Sequence, residues 1–253
     1  MSYLSINKIC KNYNTPSCIT ESLKDITFEV SEGDFISILG PSGCGKSTLL
    51  NIISGLILPS NGKIFYKDNP LKYHTDIFGY MFQKDQLFEW LSVYNNVILG
   101  LKIKKQLSKE NLYKINSLLD LYGLSKFKNH TPSQLSGGMR QRVALIRTLS
   151  LNPEILLLDE PFSALDYQTR LKVCDEIYNI IKQQNKTVIM VSHDISEAIS
   201  TSSKIIILSK RPSIVKCIFK LDFPKKLSPL QRRDAPNFKE YFNIIWKELD
   251  GNE

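Results

Sequence analysis

Gly40, Pro41, Ser42, Gly43, Cys44, Gly45, Lys46, Ser47 and Thr48 run in the order Gly-x-x-x-x-Gly-Lys-Ser-Thr. That is the pattern of a phosphate loop. Glycines let backbone N–H groups curl around phosphate oxygens with no side chain in the way. Lys46 adds a full positive charge for the β- and γ-phosphates. Ser47 offers a hydroxyl to Mg²⁺, which keeps several waters and needs few protein ligands. The motif points to a nucleoside triphosphate and leaves kinase, GTPase, repair ATPase and transporter ATPase open. Further along, Asp159 and Glu160 follow the apolar run Ile155 to Leu158. Ligands sit outside the carboxyl ends of strands in parallel α/β sheets. Asp159 is therefore placed to hold Mg²⁺, directly or through water, and Glu160 to orient or deprotonate an attacking water. Neighbouring acids can differ in role because successive side chains leave a strand in opposite directions. Between the two motifs, Ser136, Gly137 and Gly138 form a second small-residue anion cradle at a helix start. Two such cradles with one lysine-bearing loop invite a head-to-tail dimer. Each triphosphate would lie between the loop of one copy and the Ser136–Gly138 segment of the other.

The elements that must position these groups are readable in outline. Leu4, Ile6 and Ile9, then Ile26, Phe28 and Val30, predict two strands around a polar loop. Phe35 to Leu39 is a short apolar run of the buried-strand type, leading straight into the phosphate loop. Leu49 to Ser54 reads as a helix stopped by Gly55. Lys63–Tyr66 and Ile77–Phe82 predict strands. The spacing of Leu112, Ile115, Leu118, Leu119 and Tyr122 predicts a helix over 108–122. A loop from Pro132 opens a helix running to about Leu149. Ile155–Leu158 and Thr187–Val191 are apolar strands. Ser163 to about Gln184 and Ile195 to Ser200 are predicted helices. Ile205–Leu208 and Ile214–Phe219 form a final strand pair. Strands alternating with helices indicate an α/β domain with a largely parallel sheet. Beyond Asp222 the composition turns basic and Pro-bearing, and Phe238 to Leu249 reads as a terminal amphipathic helix.

Composition excludes several classes. The chain has 253 residues, 42% hydrophobic and 23% charged, which is ordinary globular usage. Whole-chain disorder and collagen-like repetition are ruled out. No apolar run approaches the roughly 18–20 residues that span a bilayer. The start lacks the apolar core of a signal peptide. A soluble, intracellular-type chain is expected, with any membrane link made through a partner. The five cysteines (10, 18, 44, 174 and 217) form no CxxC pair, which suits a reducing compartment. His74, His130 and His193 lie far apart, so a zinc site would need long-range convergence. The net charge is +8, and residues 204–253 carry much of it, with eleven lysines and arginines against six acids. That balance admits nucleic acid, nucleotide phosphates or an anionic membrane surface as partners.

Leu135-Ser136-Gly137-Gly138-Met139-Arg140-Gln141-Arg142, set between a phosphate loop and an Asp-Glu strand end, resembles the signature of ABC transporter ATP-binding subunits. The resemblance covers nearly the whole chain. It implies a P-loop NTPase of α/β class: a mostly parallel central sheet, an N-terminal antiparallel β part and a helical signature subdomain. The ATP-binding domain would span 1–221, with the helical subdomain at about 84–150, and a short basic extension 222–253. It further implies that Gly40–Thr48 is the Walker A loop. Asp159 would be the Walker B acid and Glu160 the catalytic glutamate. Gln83 is similar to the Q-loop glutamine that reaches Mg²⁺ and senses the membrane partner. Ser163–Asp166 resembles the loop that passes between two copies. His193 resembles the switch histidine at the γ-phosphate, and Tyr13 the aromatic residue that stacks on adenine.

A narrower resemblance is to the nitrate/sulfonate/taurine importer subfamily. It rests on Gln83, Leu87 to Val97, Arg211 to Val215, Phe223 to Lys226 and Arg232 to Phe238. Glu89 departs from that subfamily's usual Pro, Leu145 to Leu149 carry larger residues than usual, and Lys225–Lys226 replace Pro-Arg. The resemblance implies ATP and Mg²⁺ as cofactors, with catalysis by Lys46, Gln83, Glu160 and His193. The implied task is import of a small anionic or organosulfur-like solute. The implied partners are a second copy, integral membrane permease subunits and an extracytoplasmic solute-binding protein, at the cytoplasmic face of the membrane. Exposed Phe88 and Trp90 would suit an anchor for the permease; their alternative is core of the helical subdomain. An exporter or lipoprotein-release ATPase is the alternative function. A DNA-linked ATPase is a more distant one, because the coiled coils or zinc modules of such chains are missing; no nucleic-acid partner is expected.

Overall fold

The computed structural model describes residues 2–14, 18–71, 76–163, 165–224 and 226–251. His74, Ala164 and Lys225 lie outside the described residues.

Two sheets and their helices position the phosphate loop. The first sheet is antiparallel, in the order β2-β1-β4-β5, from β1 (Leu4–Asn14), β2 (Ile19–Val30), β4 (Asn61–Tyr66) and β5 (Asn69–Pro70). The second has the order β10-β9-β3-β8-β7-β6. It contains β3 (Phe35–Leu39), β6 (Phe78–Met81), β7 (Ile155–Asp159), β8 (Thr187–Val191), β9 (Lys204–Leu208) and β10 (Val215–Lys220). Every pairing in it is parallel except β10 with β9. The expected α/β class, with an antiparallel part beside a mostly parallel sheet, is what forms. Strands β3, β7 and β8 are buried at every position, which is why their sequences are continuous apolar runs rather than alternating ones.

Each face of the central sheet carries its own apolar cluster. Ile155 and Leu157 of β7 join Ile36 and Ile38 of β3 against α1 (Lys46–Ile53) and the antiparallel sheet. Leu156 and Leu158 point the other way, into a cluster with α2 (Val93–Ile103), α3 (Lys109–Leu121), α4 (Gly137–Leu149) and α5 (Tyr167–Gln183). A third cluster joins α6 (Ile195–Thr201) and β9 to α8 (Pro236–Asp250), with α7 (Pro229–Arg233) against α6. No described helix is long and apolar enough to cross a membrane.

Two expectations change. Helix α5 begins at Tyr167, not Ser163, because Asp166 caps it by accepting the Thr169 N–H at 3.0 Å. The residues before the cap stay in a loop. Helix α2 was not predicted, although Ser92 caps it and Val93, Val97 and Leu101 mark one buried face. Its entry is held by buried Asn96, whose amide donates to the carbonyls of Phe88 and Leu91 and accepts the Phe88 N–H at 2.8 Å. The larger residues on α4 are accommodated locally. Leu145 is fully buried, and the Thr148 methyl fills space left by Gly79, where an added Cβ would come within 2.8 Å of it.

Candidate functional site

The phosphate loop leaves β3 at Gly40 and enters α1 at Lys46. Gly45 precedes the helix at φ +115°, and a Cβ there would sit 2.9 Å from Leu23 and 3.0 Å from Ser22. Only glycine meets both conditions. No side chain caps α1, so its first N–H groups face the loop cavity, ready for an anion. The buried Lys46 ammonium donates to the carbonyls of Gly40 at 2.8 Å and Pro41 at 3.0 Å, which lays it along the cradle. A cavity of about 260 Å³ is lined by Ser42, Gly43, Gly45 to Thr48, Glu160 and Arg211.

The strand-end acids meet this cradle. Ser47 Oγ donates to Asp159 Oδ1 at 3.1 Å, and Tyr80, on the neighbouring β6, donates to Oδ2 at 3.4 Å. Burial pushes the Asp159 carboxyl above the usual carboxylate range and the adjacent Glu160 charge adds to it, while the Ser47 bond works against both. A hydroxyl and a carboxylate this close are hard oxygen donors of the kind Mg²⁺ takes. Glu160 itself turns out of the strand at φ +46°. Its Oε2 accepts from Gln83 Nε2 at 2.9 Å and lies 3.2 Å from His193 Nδ1, which donates when that nitrogen carries the proton. Gln83, Glu160 and His193 are thus one constellation at the mouth of the loop. The Tyr13 hydroxyl lies 3.4 Å from Thr48 Oγ1, with its ring half-exposed and the Lys11 ammonium 5.3 Å from its centre.

Ser136, Gly137 and Gly138 are not brought to this cradle within the chain; they line neither the loop cavity nor the neighbouring one at Gly40–Ser42 and His193. Ser136 caps α4, accepting the Met139 N–H at 3.4 Å. A Cβ on Gly138 would stand 3.1 Å from Val173, so the helix start is packed tightly against α5. The same helix is tied to the Gln83 segment. Arg140 grips both Asp85 oxygens, at 2.7 and 3.0 Å, and reaches Glu89 at 2.7 Å. Arg147 donates to the carbonyls of Asp85 and Gln86. Glu89, the departure from the importer pattern, therefore gives Arg140 a second carboxylate. Asp85 is pushed up by burial, but the Arg140 bond and the Leu87 N–H outweigh this and hold its carboxyl below the ordinary value. Phe88 and Trp90 lie outside the core, with rings 5.1 Å apart and 37% and 77% exposed.

Behind His193, Glu197 is buried on α6. Its Oε2 accepts from Ser192 Oγ at 3.2 Å, and Ser192 Oγ in turn accepts the Asp194 N–H at 3.0 Å. Burial, with the Asp194 charge adding, pushes the Glu197 carboxyl up to about 8; Ser192, Arg170 and Arg233 oppose that. The buried Cys174 thiol is raised by burial, with the Glu197 charge adding to it. A Glu197 carboxyl raised in this way holds its proton in the fold, where the unfolded chain releases it near the ordinary glutamate value of about 4.3. Stability should fall as pH rises from about 4.3 to 8 through this one group. Replacing it by Gln should flatten that slope in denaturant titrations across the window; an unchanged slope would show that Glu197 is ionised in the fold.

Sequence reasoning missed Tyr80 and Arg211. Tyr80 stands three residues before Gln83 on β6, in register with Leu157, so pairing β6 with β7 would have found it. Arg211 entered the sequence reading only within the stretch Arg211 to Val215, and its contact with the loop carries no local signal, since it meets Gly43 from 168 residues away.

The ABC transporter family profile matches residues 23–163. An uncharacterised ABC transporter ATP-binding protein of Bacillus subtilis is 44% identical over 100% of this chain and 98% of its own length. An aliphatic sulfonates import ATP-binding protein of Bacillus cereus is 38% identical, covering 98% of this chain and 96% of its own. Among solved structures, a dimeric ATP-binding cassette in a post-hydrolysis state with ADP and Pi aligns at TM-score 0.75 and 36% identity, over 87% of this chain and all of that one. With over half its length inside the family profile and nearly all of it aligned to such relatives, the chain belongs to the ABC transporter family as an ATP-binding subunit, and it is an ATPase.

Proposed function

We propose that this ATPase energises import of a small anionic or organosulfur-like solute through partner permease subunits. It works as a head-to-tail homodimer at the cytoplasmic face of the membrane, in a system that also has an extracytoplasmic solute-binding protein. The observation that carries the catalytic half is the Glu160 carboxylate held between Gln83 and His193 at the mouth of the phosphate loop. The import half is supported by the likeness to a sulfonate importer's ATP-binding protein over almost the full chain.

In this reading the loop N–H groups from Ser42 to Thr48, with Lys46, bind the β- and γ-phosphates. The Tyr13 ring stacks on adenine. Ser136, Gly137 and Gly138 of the second copy close over the γ-phosphate. Ser47, Asp159 and Gln83 would hold Mg²⁺, which when bound would supply positive charge against that of the phosphates. Gln83 already spends its NH₂ on Glu160, which leaves its carbonyl oxygen as the donor end. Glu160 orients the attacking water and accepts its proton. His193 and Lys46 stabilise the charge that develops on the transferring phosphoryl group. The exposed Phe88–Trp90 pair, on the segment tied to the signature helix, is the proposed permease contact. Aromatic anchors of this kind suit the centre of an interface.

Uptake of labelled small sulfonates by cells with and without this chain tests the direction and the solute class. ATP-dependent uptake should fall to background without it and return with the wild-type chain. Intact uptake with loss of an efflux activity would replace the import reading with the exporter one.

A further inference from the structure

The turn between β9 and β10, residues 209–214, closes onto the back of the phosphate loop. Ser213 is fully buried, and its hydroxyl donates to the Cys44 carbonyl, sharing the proton with the Ser209 carbonyl at 3.0 Å. The Arg211 guanidinium donates to the Gly43 carbonyl. The turn is itself pinned to β2: Ser213 N–H donates to Ser22 O at 3.0 Å, and Lys24 N–H donates to Ser213 O at 2.8 Å. The same Ser22 and Leu23 press on Gly45.

An anion cradle works only when its N–H groups point inward. In a trans peptide the carbonyl of one residue and the N–H of the next point in opposite directions. An acceptor held outward therefore aims the following donor inward. The Cys44 carbonyl shares its peptide with the Gly45 N–H. The Gly43 carbonyl shares its peptide with the Cys44 N–H, which donates to the Pro41 carbonyl at 3.3 Å and closes the turn of the loop. These peptides flank Gly43 and Gly45, both at positive φ, where the backbone is freest to flip.

We propose that Ser213 and Arg211 are positioning residues for nucleotide binding: Ser213 holds the Cys44 carbonyl outward so that the Gly45 N–H faces the phosphates before the nucleotide arrives, and Arg211 braces the adjoining Gly43 peptide, whose N–H closes the turn onto Pro41. This rests on the phosphate loop being the ATP site, and Lys46→Ala serves as the control for that reading. Arg211 is exposed, so its variants are expected to fold. Ser213 is buried, so each variant's melting temperature is recorded beside its nucleotide affinity.

Ser213→Ala and Arg211→Ala should each weaken ADP and ATP binding about fivefold to tenfold, the value of one hydrogen bond lost from a preorganised site. The loss should fall on KM rather than kcat. Arg211→Gln keeps a donor without the charge and should recover most of the affinity at both low and high salt. Affinities within twofold of wild type in both alanine variants would overturn the proposal. So would an Arg211→Gln variant as weak as Arg211→Ala whose deficit vanishes in high salt, because Arg211 would then act as a bare charge. A loss of affinity that only tracks the melting temperature would overturn it too. If Lys46→Ala binds nucleotide like the wild type, it is the site reading that fails, whatever the strap variants do.

Discussion

Glu160→Gln should bind Mg²⁺ and ATP yet turn over at least about a hundredfold more slowly than the wild type, since a positioned base contributes roughly 10²–10⁴-fold. The substitution keeps the size of the side chain and its hydrogen bonds to Gln83 and His193. It removes the charge and the site that accepts the water's proton. Binding, which rests on the loop N–H groups and Lys46, is left in place. A dimer closed around ATP then has no route to reopen by hydrolysis. Light scattering with ATP should report about twice the 29.0 kDa monomer mass, and the monomer mass without ATP. Turnover within a few-fold of wild type would remove Glu160 from its role. Slow turnover with no change in size would mean that pairing needs the membrane subunits.

Lys46→Ala should lose nucleotide. Lys46 is the buried cation of the cradle, and truncating one partner of a buried charge pair costs about 2–5 kcal/mol, roughly 30-fold to several-thousand-fold in affinity. The Gly40 carbonyl that it now meets would also lose that donor, and the Pro41 carbonyl would keep only the Cys44 N–H. A paired experiment reads the head-to-tail arrangement directly. Ser136→Arg should fill the cradle at the start of α4 and be equally inactive alone. In a mixed dimer the intact loop of the Ser136→Arg copy meets the intact signature of the Lys46→Ala copy. Mixing two inactive preparations should therefore restore ATPase activity, up to about half of the wild-type rate per dimer when one site suffices. No recovery in dimers shown by mass to be mixed would mean that loop and signature do not share a nucleotide across copies.

Much of this site was legible because its parts are local. The phosphate loop needs a strand, a glycine turn and a helix start within twenty residues, and Phe35 to Ile53 spells all three. Asp159 and Glu160 were legible because an unbroken apolar strand ends at them. The start of α5 was misplaced because propensity runs smoothly through 163–166, while the Asp166 cap depends on one side chain turning back to Thr169. Helix α2 was passed over because its buried face is short and its entry is organised by Asn96, a polar residue that interrupts the apolar pattern. Ser213 and Arg211 were out of reach for a different reason. Their partners are backbone carbonyls at Gly43 and Cys44, brought close only by the placing of β9 beside β3. Nothing about the spacing of two carbonyl groups is written in side-chain types.

The alternation in β7 has a consequence for the two acids. Ile155 and Leu157 face α1, while Leu156 and Leu158 face the helical layer. Asp159 has the parity of the first pair, and Ser47 stands at the start of α1 on that same side. Which acid meets the loop hydroxyl is thus decided by counting odd and even along the strand. Deleting one residue between Ile155 and Leu158 would leave Leu-Asp-Glu-Pro intact as a string of letters. With the start of β7 held in register, it would also move every residue after the gap one position along the ladder and so onto the opposite face. The letters would survive and the chemistry would not: the aspartate would face the wrong layer, so an Asp-Glu pair is a working pair only in phase with its strand.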